Sequence, residues 1–418
     1  MQLRTSRESL IGPVRDGFDT HSGDRDSIPL ALLYSSTGVL AEVEQSIAKG
    51  ALLAVEEVNA AGGIGGRELV GVVTDFGSNY ASAPTRVSAL LEETGAIAAV
   101  GGYTSSSRVA MLPAFLGNRA VLLYSTYFEG LESEPNVYYS GAIPNQFLVD
   151  YVDWIIERLG RKLYILGSDY VYPRSLAAIV RKATRQRGGE VVGGRYVPLG
   201  ATNFDAVLQE IRALAPDVVL SNLVGTDSTS AFYRGFAAAG HTPYTLPIAA
   251  TVTTEFDVHR MGAEYAFGHY MTATYFGALH NPANRRYVAA IRRRFGDDTV
   301  VHAPQVGAYN AVWLFARAAG RCGGDLTLEN LRTALAGVAF DRNPEGEPLR
   351  IYPNQYTNHA SYIGCAGADG QYEIVQRFPC RPPEPYPSIL VPASKQPTTL
   401  SGELEDVAGG ARPRRTSP

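Results

Sequence analysis

The chain has 418 residues, 45% of them hydrophobic and 19% charged, which is globular composition with enough length for two or more cored domains. Its formal net charge of −4, with no long basic block, argues against direct nucleic-acid binding. No apolar run is long enough to read as a transmembrane span.

Residues 1–27 mix Arg4, Arg7, Arg15 and Arg25 with Glu8, Asp16, Asp19, Asp24 and Asp26. The apolar stretch Leu10–Val14 is too short and broken for a signal-peptide core, and no cysteine stands nearby for lipid attachment. This segment reads as flexible and the chain as cytoplasmic; a misassigned start would instead allow a periplasmic or extracellular protein.

Globular patterning begins at Ile28. A buried strand, Ile28–Tyr34, is followed by the turn Ser35-Ser36-Thr37-Gly38 and a helix to about Asn59 with Ile47, Ala51, Ala54, Val55 and Val58 on one face. After the loop Gly62–Gly66 come a strand at Leu69–Thr74, a helix at Pro84–Thr94, a strand at Ala96–Val100, a short helix, and a strand at Ala120–Tyr124. Near-continuous apolar strands alternating with helices imply parallel sheets covered on both faces. The alternation restarts after Asn145: helix Phe147–Leu159, strand Lys162–Gly167, helix Arg174–Arg187, strand Val191–Val197, helix Phe204–Leu214, strand Asp217–Leu220, and a further strand from Leu246. The fold class is therefore α/β, with two successive doubly wound units.

Arg292-Arg293-Arg294 reads as a solvated helix face. Cys322, Cys365 and Cys380 are odd in number and show no C-x-x-C spacing, so neither a disulfide framework nor a zinc site is indicated. A Cys365–Cys380 bridge would require an oxidising compartment. Beyond about Pro392 the chain is rich in Pro, Ser, Thr and Gly and reads as a disordered tail.

Ligands of open α/β sheets gather at the carboxyl ends of strands. The residues there are Ser35-Ser36-Thr37, Tyr103 to Ser107, Tyr124 to Tyr127, Ser168 to Tyr172, Asn222 to Asp227 and Thr251 to Thr254. Hydroxyls and tyrosine faces with few charges suit a small, neutral, polar ligand. A carboxylate or phosphate would favour an arginine or lysine anchor, and Arg108 is the first to appear. Turn chemistry alone also favours Ser, Thr, Asp and Gly at such places.

Enzyme signatures are missing. Gly62–Gly66 follows a helix rather than a strand, there is no phosphate-binding G-x-x-x-x-G-K-[ST] loop and no G-x-S-x-G elbow, and the seven histidines are scattered. No catalytic residue, metal or cofactor is called for.

Ser36-Thr37-Gly38, Gly50 to Asn59 and Gly62 to Arg67 resemble the opening of the type I periplasmic-binding family. Gly167-Ser168-Asp169-Tyr170-Val171-Tyr172-Pro173-Arg174, taken with Tyr124 to Gly130, Pro135 to Tyr138 and Pro144-Asn145-Gln146, is similar to the branch holding the aliphatic-amidase regulator and the urea-transport binding protein. The resemblance covers about Ile28 to Pro387. It implies two α/β lobes joined by three crossovers, with lobe one at 28–143 and 272–345 and lobe two at 144–271 and 346–391. By the same resemblance the ligand site comprises Tyr103, Ser105, Tyr124, Thr126, Tyr170, Tyr172, Val224, Val252 and Thr253. Val252 stands where the amide sensor has threonine, and Tyr127 where it has proline. Tyr103 matches the amide sensor rather than the urea receptor, which has tryptophan there.

The function implied is non-catalytic binding of a short aliphatic amide, a nitrile-derived amide or urea. The chain would act as a cytoplasmic sensor controlling amide- or nitrile-degrading genes through a partner regulator such as an antiterminator. The alternative is the substrate-binding component of an ABC transporter for urea, short amides or branched-chain-type amino acids, whose partner is a permease. Oligomeric state stays open between monomer and homo-oligomer.

Overall fold

A computed structural model describes residues 14–16 and 27–390. The chain builds the first lobe, crosses to the second, returns, and crosses again.

Lobe one opens with β1 (Val14–Asp16), β2 (Ser27–Leu33), α1 (Ala41–Ala60), β3 (Glu68–Val73), α2 (Ala83–Thr94), β4 (Ala98–Gly101), α3 (Ser105–Gly117), β5 (Val121–Tyr124) and β6 (Val137–Tyr139). Its sheet runs β1-β3-β2-β4-β5-β6 and every pairing is parallel. All residues of β4 and β5 are buried, as strands covered by helices on both faces must be.

The second lobe follows with α4 (Pro144–Phe147), α5 (Val149–Arg158), β7 (Lys162–Ser168), α6 (Val171–Gln186), β8 (Glu190–Val197), α7 (Asp205–Leu214), β9 (Val218–Asn222), α8 (Thr226–Ala238), β10 (Ile248–Ala250), α9 (Glu255–Met261), α10 (Ala263–Ala266) and β11 (Tyr270–Ala273). The chain then returns to lobe one for α11 (Pro282–Phe295), α12 (Ala303–Arg321), α13 (Leu328–Leu335) and the ribbon β12 (Ala339–Phe340) and β13 (Leu349–Arg350). Its last crossing delivers β14 (His359–Ala366) and β15 (Tyr372–Arg381), which extend the second sheet to β15-β14-β11-β10-β9-β7-β8. That sheet is parallel except for β14 and β15, which pair antiparallel at one edge.

Two doubly wound α/β lobes joined by three crossovers result. Helix α12 lies on α1 at close range. A Cβ on Gly50 would sit 2.0 Å from the Gln305 carbonyl oxygen, and one on Gly307 would sit 2.5 Å from that of Ser125. Gln146, fully buried in α4, ties the first crossing to the last by donating to the carbonyls of Thr357 (2.8 Å) and Arg381 (3.1 Å).

Several expectations change. Val14–Asp16, inside the stretch read as flexible, is an edge strand along Gly71–Val73, because the open edge of β3 offers unpaired backbone groups. The rest of 1–26 and the tail from 391 lie outside the described residues. The helix expected at Phe147–Leu159 is two: Pro144, suited to a first helical position, opens a separate turn ending at Phe147. The short helix expected after Ala96–Val100 has 13 residues and opens at Ser105, since extended Thr104 caps it by accepting from the Ser107 N–H at 3.1 Å. Likewise α6 starts at Val171, with Pro173 in its first turn, where a missing N–H costs nothing. Cys365 and Cys380 are free: the register sets Cys365 opposite Glu373, while Arg381, next to Cys380, pairs with His359 at the far end of the ribbon.

Candidate functional site

Strand ends of both lobes face one another across a closed cleft. Its wall is Tyr103 and Ser105 after β4, Thr126 and Tyr127 after β5, Tyr170 and Tyr172 after β7, Val224 after β9 and Val252 after β10. It holds about 240 Å³ of empty space, of which about 10 Å³ is wide enough for a water centre, room for about one water. Contacts across the lobes flank it. The Arg260 guanidinium of α9 pairs with Glu42 of α1, and Phe256 lies 5.6 Å from His302.

Hydroxyl direction is the informative feature. Ser105 Oγ donates to Glu129 Oε2 at 2.6 Å, and Thr126 Oγ1 donates to the Gly102 carbonyl at 3.3 Å. A carboxylate and a carbonyl only accept, so both side-chain oxygens are left with lone pairs alone. Tyr172 Oη donates to Thr251 Oγ1 (3.5 Å), which donates to Asn222 Oδ1 (2.5 Å). The donors on offer are different groups. Tyr127 Oη is buried without a partner among the described residues, and α3 begins at Ser105, so its first N–H groups also stand here. Burial pushes the Tyr103, Tyr127 and Tyr170 hydroxyls well above their ordinary range, which keeps them neutral.

Among the described residues no lysine or arginine lines the cleft. Arg108, one α-helical turn after Ser105, is 1% exposed and turned away into a charge cluster. Its Nη2 donates to Glu129 Oε1 at 2.9 Å and its Nε to Glu132 Oε1 at 3.0 Å. The guanidinium lies 4.9 Å from the Tyr124 ring centroid and 4.4 Å from that of Phe128. Tyr139 Oη completes the cluster, donating to Glu132 Oε1 at 2.7 Å.

Of the nine residues expected from sequence, Tyr103, Ser105, Thr126, Tyr170, Tyr172, Val224 and Val252 come together in the wall. Tyr124 and Thr253 do not. The Tyr124 hydroxyl points back to the Tyr103 carbonyl at 3.1 Å, because its ring is packed under Arg108. Thr253 accepts from Tyr233 Oη (3.4 Å) through its hydroxyl and from Tyr372 Oη (2.7 Å) through its carbonyl, which holds it in the packing behind Val252. Tyr127, in the strand-end cluster read from sequence but not among the nine residues, also stands in the wall. Glu129, which sets the direction of Ser105, had no sequence signal, since a glutamate in a Gly-containing loop reads as solvated.

A larger depression of about 540 Å³ lies over the crossovers, and two of its carboxylates are already paired, Glu347 with Arg377 and Glu345 with His359. It shares no residue with the interlobe cleft. Among the described residues no helix is long and apolar enough to cross a membrane, and no cluster of His, Cys, Asp or Glu could hold a metal ion.

Glu44, in α1 beneath the cleft, is fully buried. Its Oε2 accepts from the Ser35 N–H at 2.6 Å while Oε1 has no partner. Burial raises its carboxyl from 4.5 to about 7. The native state therefore holds this proton more tightly than the unfolded chain. The associated stability is full below about pH 4.5 and is lost as pH rises to about 7. Glu44→Gln, which keeps a neutral side chain at every pH, is expected to gain on the parent by on the order of 3 kcal/mol between pH 4.5 and 8. Urea unfolding at the two pH values measures it; an unchanged difference between the proteins would exclude an unusual carboxyl at this position.

Comparison with known proteins places this geometry. A family model described as a periplasmic binding protein domain matches residues 28–391. Leu/Ile/Val-binding protein homolog 7 of Brucella melitensis is 24% identical over 384 residues, covering 83% of this chain and 91% of its own length. The chain spans half or less of the length of some other curated relatives. Limonene hydroxylase of Geobacillus stearothermophilus is 30% identical over 29% of this chain and 23% of its own length. Leu/Ile/Val-binding protein homolog 6 of Brucella suis is 26% identical over 46% and 49%. Among solved structures, a solute binding protein of an ABC transporter from R. palustris in complex with benzoate superposes with a TM-score of 0.77. It is 20% identical, over 86% of this chain and 98% of that one. The branched-chain amino acid transporter substrate binding protein LivJ from Streptococcus pneumoniae in complex with isoleucine gives 0.74 at 21% identity, over 84% and 99%.

Proposed function

The chain belongs to the periplasmic binding protein domain family, and on that premise we propose that it is the solute-binding receptor of an ABC-type uptake system whose ligand is a small, neutral compound with N–H donors, of the short primary amide class. The observation that carries this reading is the direction of Ser105 and Thr126, whose protons are committed to Glu129 and Gly102. Two acceptor oxygens in one wall suit the two N–H groups of a primary amide. Its carbonyl would take the Tyr127 hydroxyl or the first N–H groups of α3. A carboxylate in the same place would meet two oxygens, one of them backed by Glu129, with no guanidinium or ammonium among the described wall residues to offset the repulsion.

The cleft as it stands has room for about one water, so a ligand of a few heavy atoms enters when the lobes part and is enclosed as they close. Ligand that binds the closed arrangement shifts the population of states by its differential affinity. The receptors of known structure named above hold benzoate and isoleucine. Transport carries over from them as a role, while the chemistry of this cleft favours an uncharged ligand.

A second reading keeps the same ligand and replaces the permease with a regulatory partner, the chain acting as a cytoplasmic amide sensor. It draws on the same wall, and cell fractionation separates the two: a receptor for uptake is recovered outside the cytoplasm and a sensor within it.

Thermal unfolding tests the ligand. Acetamide, propionamide or urea at about 100 times its Kd should add about 2.7 kcal/mol of apparent stability. Acetate, the same shape with a charge, should add none. A shift with acetate, benzoate or isoleucine and none with any amide would overturn the assignment.

A further inference from the structure

Lobe one carries a second cleft, far in composition from the first. It opens between α11, α12 and β12, has a volume of about 280 Å³ and shares no residue with the interlobe cleft. Tyr309, Trp313 and Arg317 recur every fourth residue along α12 and so fall on one face of the helix. Phe340 stacks on Trp313, with centroids 5.5 Å apart and planes 16° from parallel. Arg317 lies 5.3 Å from the Phe340 centroid. Arg286 of α11 and Arg342, just past β12, close the sides.

The charges are unbalanced. Three arginines face one carboxylate, Glu57, which already accepts from Tyr309 Oη at 2.6 Å. Among the described residues neither Arg286, Arg317 nor Arg342 forms an ion pair, although eight other arginines of this chain do. Guanidinium groups match carboxylate and phosphate in a planar, two-pronged geometry and also stack on rings. Aromatic walls with a few convergent polar groups are the usual make-up of a small-molecule site.

We propose that this cleft is a second ligand site, which takes a flat aromatic anion. The ring lies against Trp313 and Phe340, and its acid groups meet Arg286, Arg317 and Arg342. The chemistry is opposite to that of the interlobe cleft: cationic and aromatic here, uncharged and hydroxyl-lined there.

The chain has two tryptophans, and Trp154 belongs to α5 of the other lobe. In a Trp154→Phe protein Trp313 is the sole tryptophan emitter, so its fluorescence reports this cleft. Phthalate is the probe, with phthalamide as its uncharged analogue and sulfate as a dianion without a ring. Phthalate should quench Trp313 saturably with a Kd below about 1 mM. Arg317→Ala, or Arg286→Ala with Arg342→Ala, should weaken it by about tenfold or more; these side chains are exposed, and their loss should leave the fold intact. Ser105→Ala, in the other cleft, should leave it unchanged. Any of four results would overturn the site: no saturation by about 10 mM phthalate, equal quenching by phthalamide, equal affinity in the arginine variants, or displacement by sulfate as effective as phthalate itself.

Discussion

Replacing Arg108 by alanine is expected to cost about 3–5 kcal/mol of folding stability. Glu129 and Glu132 are 4% exposed, and the guanidinium is the positive group that both of them contact. Its removal leaves two carboxylates facing each other in the interior, without the cation and without its packing on Tyr124 and Phe128. Truncating one partner of a buried charged set is costly because the remaining charge is uncompensated, whatever the net worth of the intact set. Urea unfolding of the parent and the variant gives the loss directly. The triple variant with Glu129→Gln and Glu132→Gln removes the orphaned charges, so it should recover part of the loss rather than add to it. A loss below about 1 kcal/mol for Arg108→Ala would mean that the cluster is solvated or differently paired.

Ser105→Ala is expected to weaken binding of a short primary amide by about 10- to 100-fold while changing stability little. The hydroxyl oxygen receives a ligand N–H with the Glu129 carboxylate behind it, and hydrogen bonds tied to a charged group are worth about 1.5–3 kcal/mol. Arg108 still holds Glu129 in the variant, so the fold keeps its cluster. Glu129→Gln tests the direction of the bond rather than its presence. A glutamine can turn its amide to donate to Ser105 Oγ, which frees the hydroxyl proton for an acceptor on the ligand. The preference for acetamide over acetate should then narrow by about tenfold or more. Calorimetric titration of the parent and both variants with the two ligands reads this. A Ser105→Ala protein that binds acetamide as tightly as the parent would remove Ser105 from the site. An unchanged preference in Glu129→Gln would show that discrimination arises elsewhere in the wall.

Both variants bear on the sign of the ligand proposed above. Strand ends supply the wall, and the charge cluster behind it sets what the wall offers. Here Arg108, one turn after Ser105, is consumed by two glutamates. The cleft gains an acceptor from the cluster instead of a cation.

Strand and helix order was legible in the sequence because each relies on local pattern. Runs such as Ala98–Gly101 and Val121–Tyr124 are buried on both faces and therefore apolar throughout, and α1 shows its buried stripe at helical spacing. Helix starts were less legible, since Ser105 and Val171 carry turn chemistry and enter helices only because an extended neighbour caps the first turn or a proline tolerates it. Seven wall residues were within reach because a parallel sheet fixes where strand ends lie, and a resemblance named which of them face the partner lobe. Tertiary structure alone decided the rest. A strand-end residue can face the cleft or its own lobe, and packing turned Tyr124 under Arg108 and Thr253 toward Tyr233 while leaving Tyr127 in the wall. The sequence by itself determined two doubly wound lobes and a hydroxyl-rich edge, because periodicity and turn chemistry are properties of neighbours along the chain. The direction of each hydroxyl, the burial of Arg108 and the gathering of Arg286, Arg317 and Arg342 depend on residues many positions apart, which only the folded chain brings within reach of one another.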